Sequence, residues 1–109
     1  MKLVKCIIRP NKVEEVREAL EKASVSGMTI TEVRGHGHQK GHKAVYRGRE
    51  YDVSLLPKTM IEMAVSDDLV DDVIAVVMKT ARTGDLGDGR IWVMSIEEGY
   101  NIRTAARDV

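Results

Sequence analysis

The chain contains no phenylalanine, and its aromatic side chains are three tyrosines and one tryptophan among 109 residues. A core without Phe must be filled by Val, Ile, Leu, Met and Ala. A domain of this length buries a modest share of its surface, and self-association is a common remedy. The single cysteine, Cys6, excludes an internal disulfide; set in an apolar run, it reads as a small buried hydrophobe in a reducing compartment. Net charge is also missing, because 17 Lys and Arg balance 17 Asp and Glu. With no global field, nucleic acid is not an expected partner, and a charged partner must be met by a local cluster. No run approaches the roughly 18 apolar residues of a membrane-spanning helix, and the apolar stretch in MKLVKCIIRP is too short for a signal peptide. No nucleophile–base–orienter set can be read, since there is no second cysteine and the histidines share one stretch. These absences predict a non-enzymatic cytoplasmic homo-oligomer with no membrane insertion, built as one domain over residues 1–109.

What is present has a regular order. Residues 3–8 are apolar and β-branched, a buried strand pattern. Asn11 then stands as a helix cap with Glu14 as its capping-box partner, ahead of an apolar stripe of Val13, Val16, Ala19, Leu20 and Ala23 that Gly27 is expected to stop. Strands are predicted at residues 28–34, 59–65 and 90–96, with a short fifth at 100–104. Between the third and fourth, Ser66 and the acidic run Asp67, Asp68, Asp71 and Asp72 open a helix that Lys79 and Arg82 close, with Gly84 as its left-handed terminus. The order β-α-β, loop, β-α-β specifies an α+β fold of ferredoxin-like split βαβ type, with both helices on one face of an antiparallel sheet. The other face then needs cover, which again points to self-association.

The polar stretch from 36 to 57 is long for so small a domain, and loops of that length are usually functional or disordered. It carries all three histidines and two of the three tyrosines, Tyr46 and Tyr51. Seven of nine glycines fall at 35, 37, 41 and 48 or at 84, 87 and 89. In the run TGDLGDGR, residues 83–90, glycines allow backbone N–H groups to converge on an anion, with Arg90 as a cationic arm. The same run also fits a plain helix-to-strand connection, and it is neither a Walker loop nor a dinucleotide fingerprint. Arg103 is a second candidate cation, on the C-terminal strand. His36 and His38 would share one face of an extended segment, with His42 as a third metal ligand, although no nearby carboxylate or thiol accompanies them.

Three segments together carry a resemblance: GHGHQKGH at residues 35–42, YRGREY at 46–51 with Leu56-Pro57-Lys58 after it, and TGDLGDGRIWV at 83–93. They resemble the PII nitrogen-regulatory signal proteins of GlnB and GlnK type. The likeness extends through the N-terminal KCIIRPNKVEEVREAL to Ile102-Arg103-Thr104, so it covers nearly the whole chain. It implies a homotrimer of ferredoxin-like protomers that senses ATP or ADP, Mg²⁺ and 2-oxoglutarate at clefts between neighbours. By position, Gly37, His38, Gln39, Gly87, Asp88, Gly89, Arg90 and Arg103 would line the phosphates, with Ile7, Thr29, Glu62 and Ala64 around adenine and ribose. Gln39 would be the Mg²⁺ ligand. The 2-oxoglutarate would meet Lys58, the backbone of Gln39, Lys40 and Gly41, and Gly87.

In that family, residues 36–55 would form the T-loop, which docks on target proteins such as an ammonium-transport channel or enzymes of nitrogen metabolism. Arg47 and Tyr51 would address the partner, and Tyr51 stands where some members carry a nucleotidyl modification. The chain also departs from the family pattern. His38 and Asn101 replace two arginines, and losing permanent bidentate cations predicts weaker triphosphate binding or an altered ATP-to-ADP preference. Arg90 stands where a lysine is frequent, and Arg49 where a small residue is common. Two rivals follow: a divergent sensor of adenine nucleotide or another metabolite without a 2-oxoglutarate response, and a metal-binding trimer using His36, His38 and His42.

Overall fold

The computed structural model describes residues 1–36, 43–46, 49–52 and 55–109, with the backbone alone described at 43–46 and 49–52. Four long strands, β1 (Lys2–Ile8), β2 (Thr29–Gly35), β5 (Leu56–Val65) and β6 (Gly89–Ser95), form a sheet in the order β2-β5-β1-β6. Every neighbouring pair is antiparallel. The crossover β1-α1-β2 therefore spans β5, and β5-α2-β6 spans β1, which is the arrangement the element order predicts for a ferredoxin-like split βαβ.

Alternation along the strands places the core. Val4, Cys6 and Ile8 of β1 and Thr59, Ile61, Met63 and Val65 of β5 are buried on one face. Against them lie α1 (Val13–Lys22), through Val16 and Leu20, and α2 (Val70–Ala81), through Val73, Val77 and Ala81. Each of these large side chains contributes about 1.5–3 kcal/mol by leaving water. The opposite face has no helix. In register it presents Leu3, Lys5 and Ile7 beside Met60, Glu62 and Ala64, with Thr29, Thr31 and Val33 on one flank and Arg90, Trp92 and Met94 on the other.

Several boundaries differ from the sequence expectations for local reasons. Asn11 lies inside a one-turn 3₁₀ helix, Pro10–Lys12, that runs directly into α1, and no side chain caps either segment. Ser66 likewise precedes the 3₁₀ turn Asp67–Leu69 without a side-chain cap bond. Helix α1 ends before Gly27, because Ser24 takes the left-handed conformation with φ 72° and the Val25 N–H returns to the Leu20 carbonyl. Helix α2 ends at Ala81 with Arg82 already extended, so Gly84, at φ 94°, shapes the following loop and not the helix terminus. Inside the long polar stretch, β3 (Lys43–Tyr46) pairs with β4 (Arg49–Asp52) as an antiparallel ribbon. The expected fifth strand is a two-residue β7 (Tyr100–Asn101) paired with β8 (Ala106–Arg107). Arg103 therefore sits in the turn between them. The Asn101 side-chain oxygen accepts the Thr104 N–H at 3.1 Å, which closes that turn and stops the strand.

Candidate functional site

The loop from 83 to 89 is built around one carboxylate. Asp88 accepts the Thr83 hydroxyl, the Thr83 and Gly84 backbone N–H groups at 2.8 Å each, and the Arg9 Nε at 3.1 Å. Arg9, which directly follows β1, also donates to the Leu86 carbonyl at 2.8 Å and so holds the loop at two points. These donors, led by the Thr83 hydroxyl, keep the Asp88 carboxyl well below the usual carboxylate range although desolvation opposes them. From the start of β5, Lys58 donates through Nζ to the Gly87 carbonyl at 2.6 Å. Its pKa is lowered, first by burial of the ammonium and then by the Arg9 charge, with Asp88 pulling the other way.

Gly87 and Gly89 have φ of 99° and 112°, values that L side chains rarely adopt. A Cβ at Gly89 would also lie 1.7 Å from the Ile7 carbonyl oxygen, so only glycine lets β6 start this close to β1. The loop thereby walls a cavity of about 420 Å³, lined also by Ile7, His36, Leu56, Lys58, Arg90 and Trp92. The guanidinium of Arg90 stands 6.0 Å from the centre of the Trp92 ring. Permissive backbone with Lys58 and Arg90 suits an anion of phosphate or carboxylate type. Of the two acidic residues that also line the cavity, Asp88 has its charge offset by the ion pair with Arg9, and Asp85 sits in the same loop.

A second hollow, of about 700 Å³, lies along the β2 edge and includes Gly27, Met28, Thr29, Glu62 and Ala64. The first cavity lies at the end of the sheet where β1 and β2 finish and β5 and β6 begin, and the second at the end where β2 begins and β5 finishes. Across the sheet Thr29 is in line with Glu62, Lys5 and Trp92, the last of them three strand spacings or about 14 Å away, and Arg90 lies two residues, roughly 7 Å, further along β6.

A family profile described as Nitrogen regulatory protein P-II matches residues 1–106 of this chain. The chain belongs to that family. It is 51% identical over 108 residues to Nitrogen regulatory protein P-II of Rhizobium etli, covering 99% of this chain and 96% of that protein. The figures are the same for Nitrogen regulatory protein GlnK of Escherichia coli K12. Nitrogen regulatory protein P-II 2 of Methanothermobacter thermautotrophicus is 53% identical over 104 residues, 95% of this chain and 90% of that protein. The chain is thus a member of a family of nitrogen regulatory proteins, and no helix among its described residues is long and apolar enough to cross a membrane.

Within this P-II frame the residues expected at the site fall into three groups. Ile7, Lys58, Gly87, Asp88, Gly89 and Arg90 come together around the first cavity, with Asp88 serving the loop through its side chain. Thr29, Glu62 and Ala64 gather at the second hollow, where Thr29 pairs with Glu62 across β2 and β5. Arg103 meets neither group, being exposed in the β7–β8 turn. Gly37, His38, Gln39, Lys40, Gly41, His42 and Arg47 lie outside the described residues. Tyr51 is placed only by its backbone, opposite Ala44 in the β3–β4 ribbon. The metal reading through His36, His38 and His42 likewise rests on residues mostly outside those described.

Three contributors escaped the sequence reading. Arg9 and Thr83 organise the loop, and their signal was faint: a cation at a strand end and a threonine five residues before an aspartate. The sequence pattern places Trp92 in the fourth strand and assigns it no role at the site. The alternation of β6 does put it on the same face as Arg90, and that phase was legible in the sequence.

Proposed function

We propose that the chain is a non-catalytic homotrimeric sensor in which adenine nucleotide, Mg²⁺ and 2-oxoglutarate set the state of the T-loop, and the loop engages or releases a target of nitrogen metabolism. The observation that supports this reading most is the division of the candidate site. Gly87, Gly89 and Arg90 line the first cavity together with Ile7, whereas Thr29, Glu62 and Ala64 line the second hollow, so a nucleotide-sized ligand is completed when the first cavity of one protomer meets the second hollow of a neighbour. In this reading Gly87, Gly89 and Arg90 hold phosphate oxygens, while Thr29, Glu62 and Ala64 of the next copy surround the base and ribose. Bound Mg²⁺ supplies charge neutralisation between the phosphates and the 2-oxo acid, with Gln39 as its protein ligand. Lys58 exchanges the Gly87 carbonyl for the distal carboxylate of 2-oxoglutarate, so that its ammonium meets a full opposite charge in place of a carbonyl dipole. Because Lys58 joins the base of the T-loop to the glycine loop, that exchange transmits ligand state toward Arg47 and Tyr51, which address the target, an ammonium channel or a nitrogen-metabolism enzyme.

Calorimetry tests the mechanism. ATP and ADP bind competitively, and 2-oxoglutarate binds measurably only when Mg-ATP is present, as coupled effectors require. Absence of nucleotide binding, or equal 2-oxoglutarate binding without nucleotide, would sink it.

A second reading is favoured by Asn101. Its side-chain oxygen is committed to the Thr104 N–H, so the residue standing where the family has an arginine serves the β7–β8 turn. With that cation replaced, and His38 in place of another, the chain would answer adenine nucleotide or another metabolite without a 2-oxoglutarate response. Restoring arginine at both positions raises ATP affinity if this is so; unchanged affinity ends the idea.

A further inference from the structure

On the β6 flank, Arg90 and Trp92 are two residues apart on one strand and project from the same sheet face. The guanidinium carbon lies 6.0 Å from the indole centroid, at the range where a cation and a π face attract. Both line the 420 Å³ cavity together with Gly87 and Gly89. Trp92 is the only tryptophan of the chain and is 42% exposed on the helix-free face, the surface expected to meet a neighbouring copy.

We infer that Trp92 is a positioning residue for anion binding in this cavity: its indole supports the planar Arg90 guanidinium so that the N–H fork stays directed at a polyphosphate. The physical basis is the difference between arginine and lysine. A guanidinium can lie on a ring with its apolar face while its edge keeps five donors for phosphate oxygens, whereas an ammonium is a compact point charge that gains less from being oriented. An unsupported Arg90 would sample many rotamers and would lose that freedom on binding. Support by Trp92 removes part of this cost before the ligand arrives. The cross-strand neighbour of Trp92 is Lys5.

This inference rests on the proposed anion site, and the test separates the two. ATP and inorganic tripolyphosphate are titrated calorimetrically into the wild-type protein and into Trp92→Leu, Trp92→Phe, Arg90→Gln and the Arg90→Gln/Trp92→Leu double variant, with assembly checked by light scattering. Trp92→Leu weakens polyphosphate binding about 2–5-fold in the Arg90 background, the range for a partly exposed cation–π contact, and adds no loss in the Arg90→Gln background. Trp92→Phe, with a weaker π face, falls between wild type and Leu; it decides the matter if the Leu variant loses its assembly. Equal losses with and without Arg90, or no loss at all, overturn the inference and leave the nucleotide reading standing. Trp92-dependent binding of tripolyphosphate without binding of ATP upholds the inference and overturns the nucleotide reading. No binding of either probe by the wild-type protein overturns both.

Discussion

At the scale of single residues, the candidate site depends on side chains that never need to touch a ligand. Asp88 gathers two backbone N–H groups, a hydroxyl and a guanidinium, and so fixes the path of Gly87 and Gly89. Its folded-state pKa is depressed, so its contribution to stability is present above the unfolded value near 4 and is lost as pH falls from there toward the depressed value. Asp88→Asn therefore lowers stability at neutral pH and flattens the acid limb, because the titrating carboxylate whose protonation distinguishes pH 6 from pH 3 is gone. Urea unfolding of both proteins across that pH range reads the difference; parallel curves would show that the carboxylate is not the group responsible. Much of this was hidden in the sequence. The glycines and Arg90 announced an anion-tolerant loop, but the partner of Asp88 just after β1, Arg9, is distant along the chain and no spacing rule connects them.

At the scale of elements, helix and strand identities followed from periodicity, and their ends did not. The stripes Val13, Val16, Leu20 and Val70, Val73, Val77 face the sheet as their spacing requires. The ends depend on single dihedral choices that propensity weighs poorly. Both α1 and α2 begin from a 3₁₀ turn with no side-chain cap, and α1 ends on a left-handed serine where glycine would be unstrained. Two outcomes follow for chemical denaturation. Ser24→Gly stabilises the protein by about 0.5–1 kcal/mol, since a left-handed Cβ is relieved. Ser66→Ala costs less than the roughly 1 kcal/mol of a true cap, because no cap bond is there to lose. A full-sized loss at Ser66 would mean that its hydroxyl bonds the 3₁₀ turn in solution. The β3–β4 ribbon was missed because its strands, KAVY and REYD, are four residues each and lack the apolar alternation that marks a half-buried sheet.

At the scale of the whole molecule, the helix-free face is the dominant feature. It was foreseen from the fold class, since two helices cover one side of a sheet and leave the other bare. It carries Leu3, Ile7, Met60, Trp92 and Met94 around Lys5 and Glu62, too apolar a mixture to be left to water at its centre. Met60→Glu, which sets a charge at that centre between Ile7 and Thr31, converts the expected trimer to monomer and abolishes nucleotide binding with it. Sedimentation velocity checks the first effect and calorimetry the second; monomers that still bind ATP would mean that one protomer makes the whole site. One core residue on the other side of the sheet has a use of a different kind. Cys6 is fully buried, donates its thiol toward the Ile61 carbonyl, and has its pKa pushed up to about 11 by burial. As the chain's sole cysteine it is therefore inert to maleimides at neutral pH. A single cysteine introduced at Arg47 could thus carry a fluorophore with no background labelling, which makes the unaltered scaffold a ready optical reporter of where its longest loop goes.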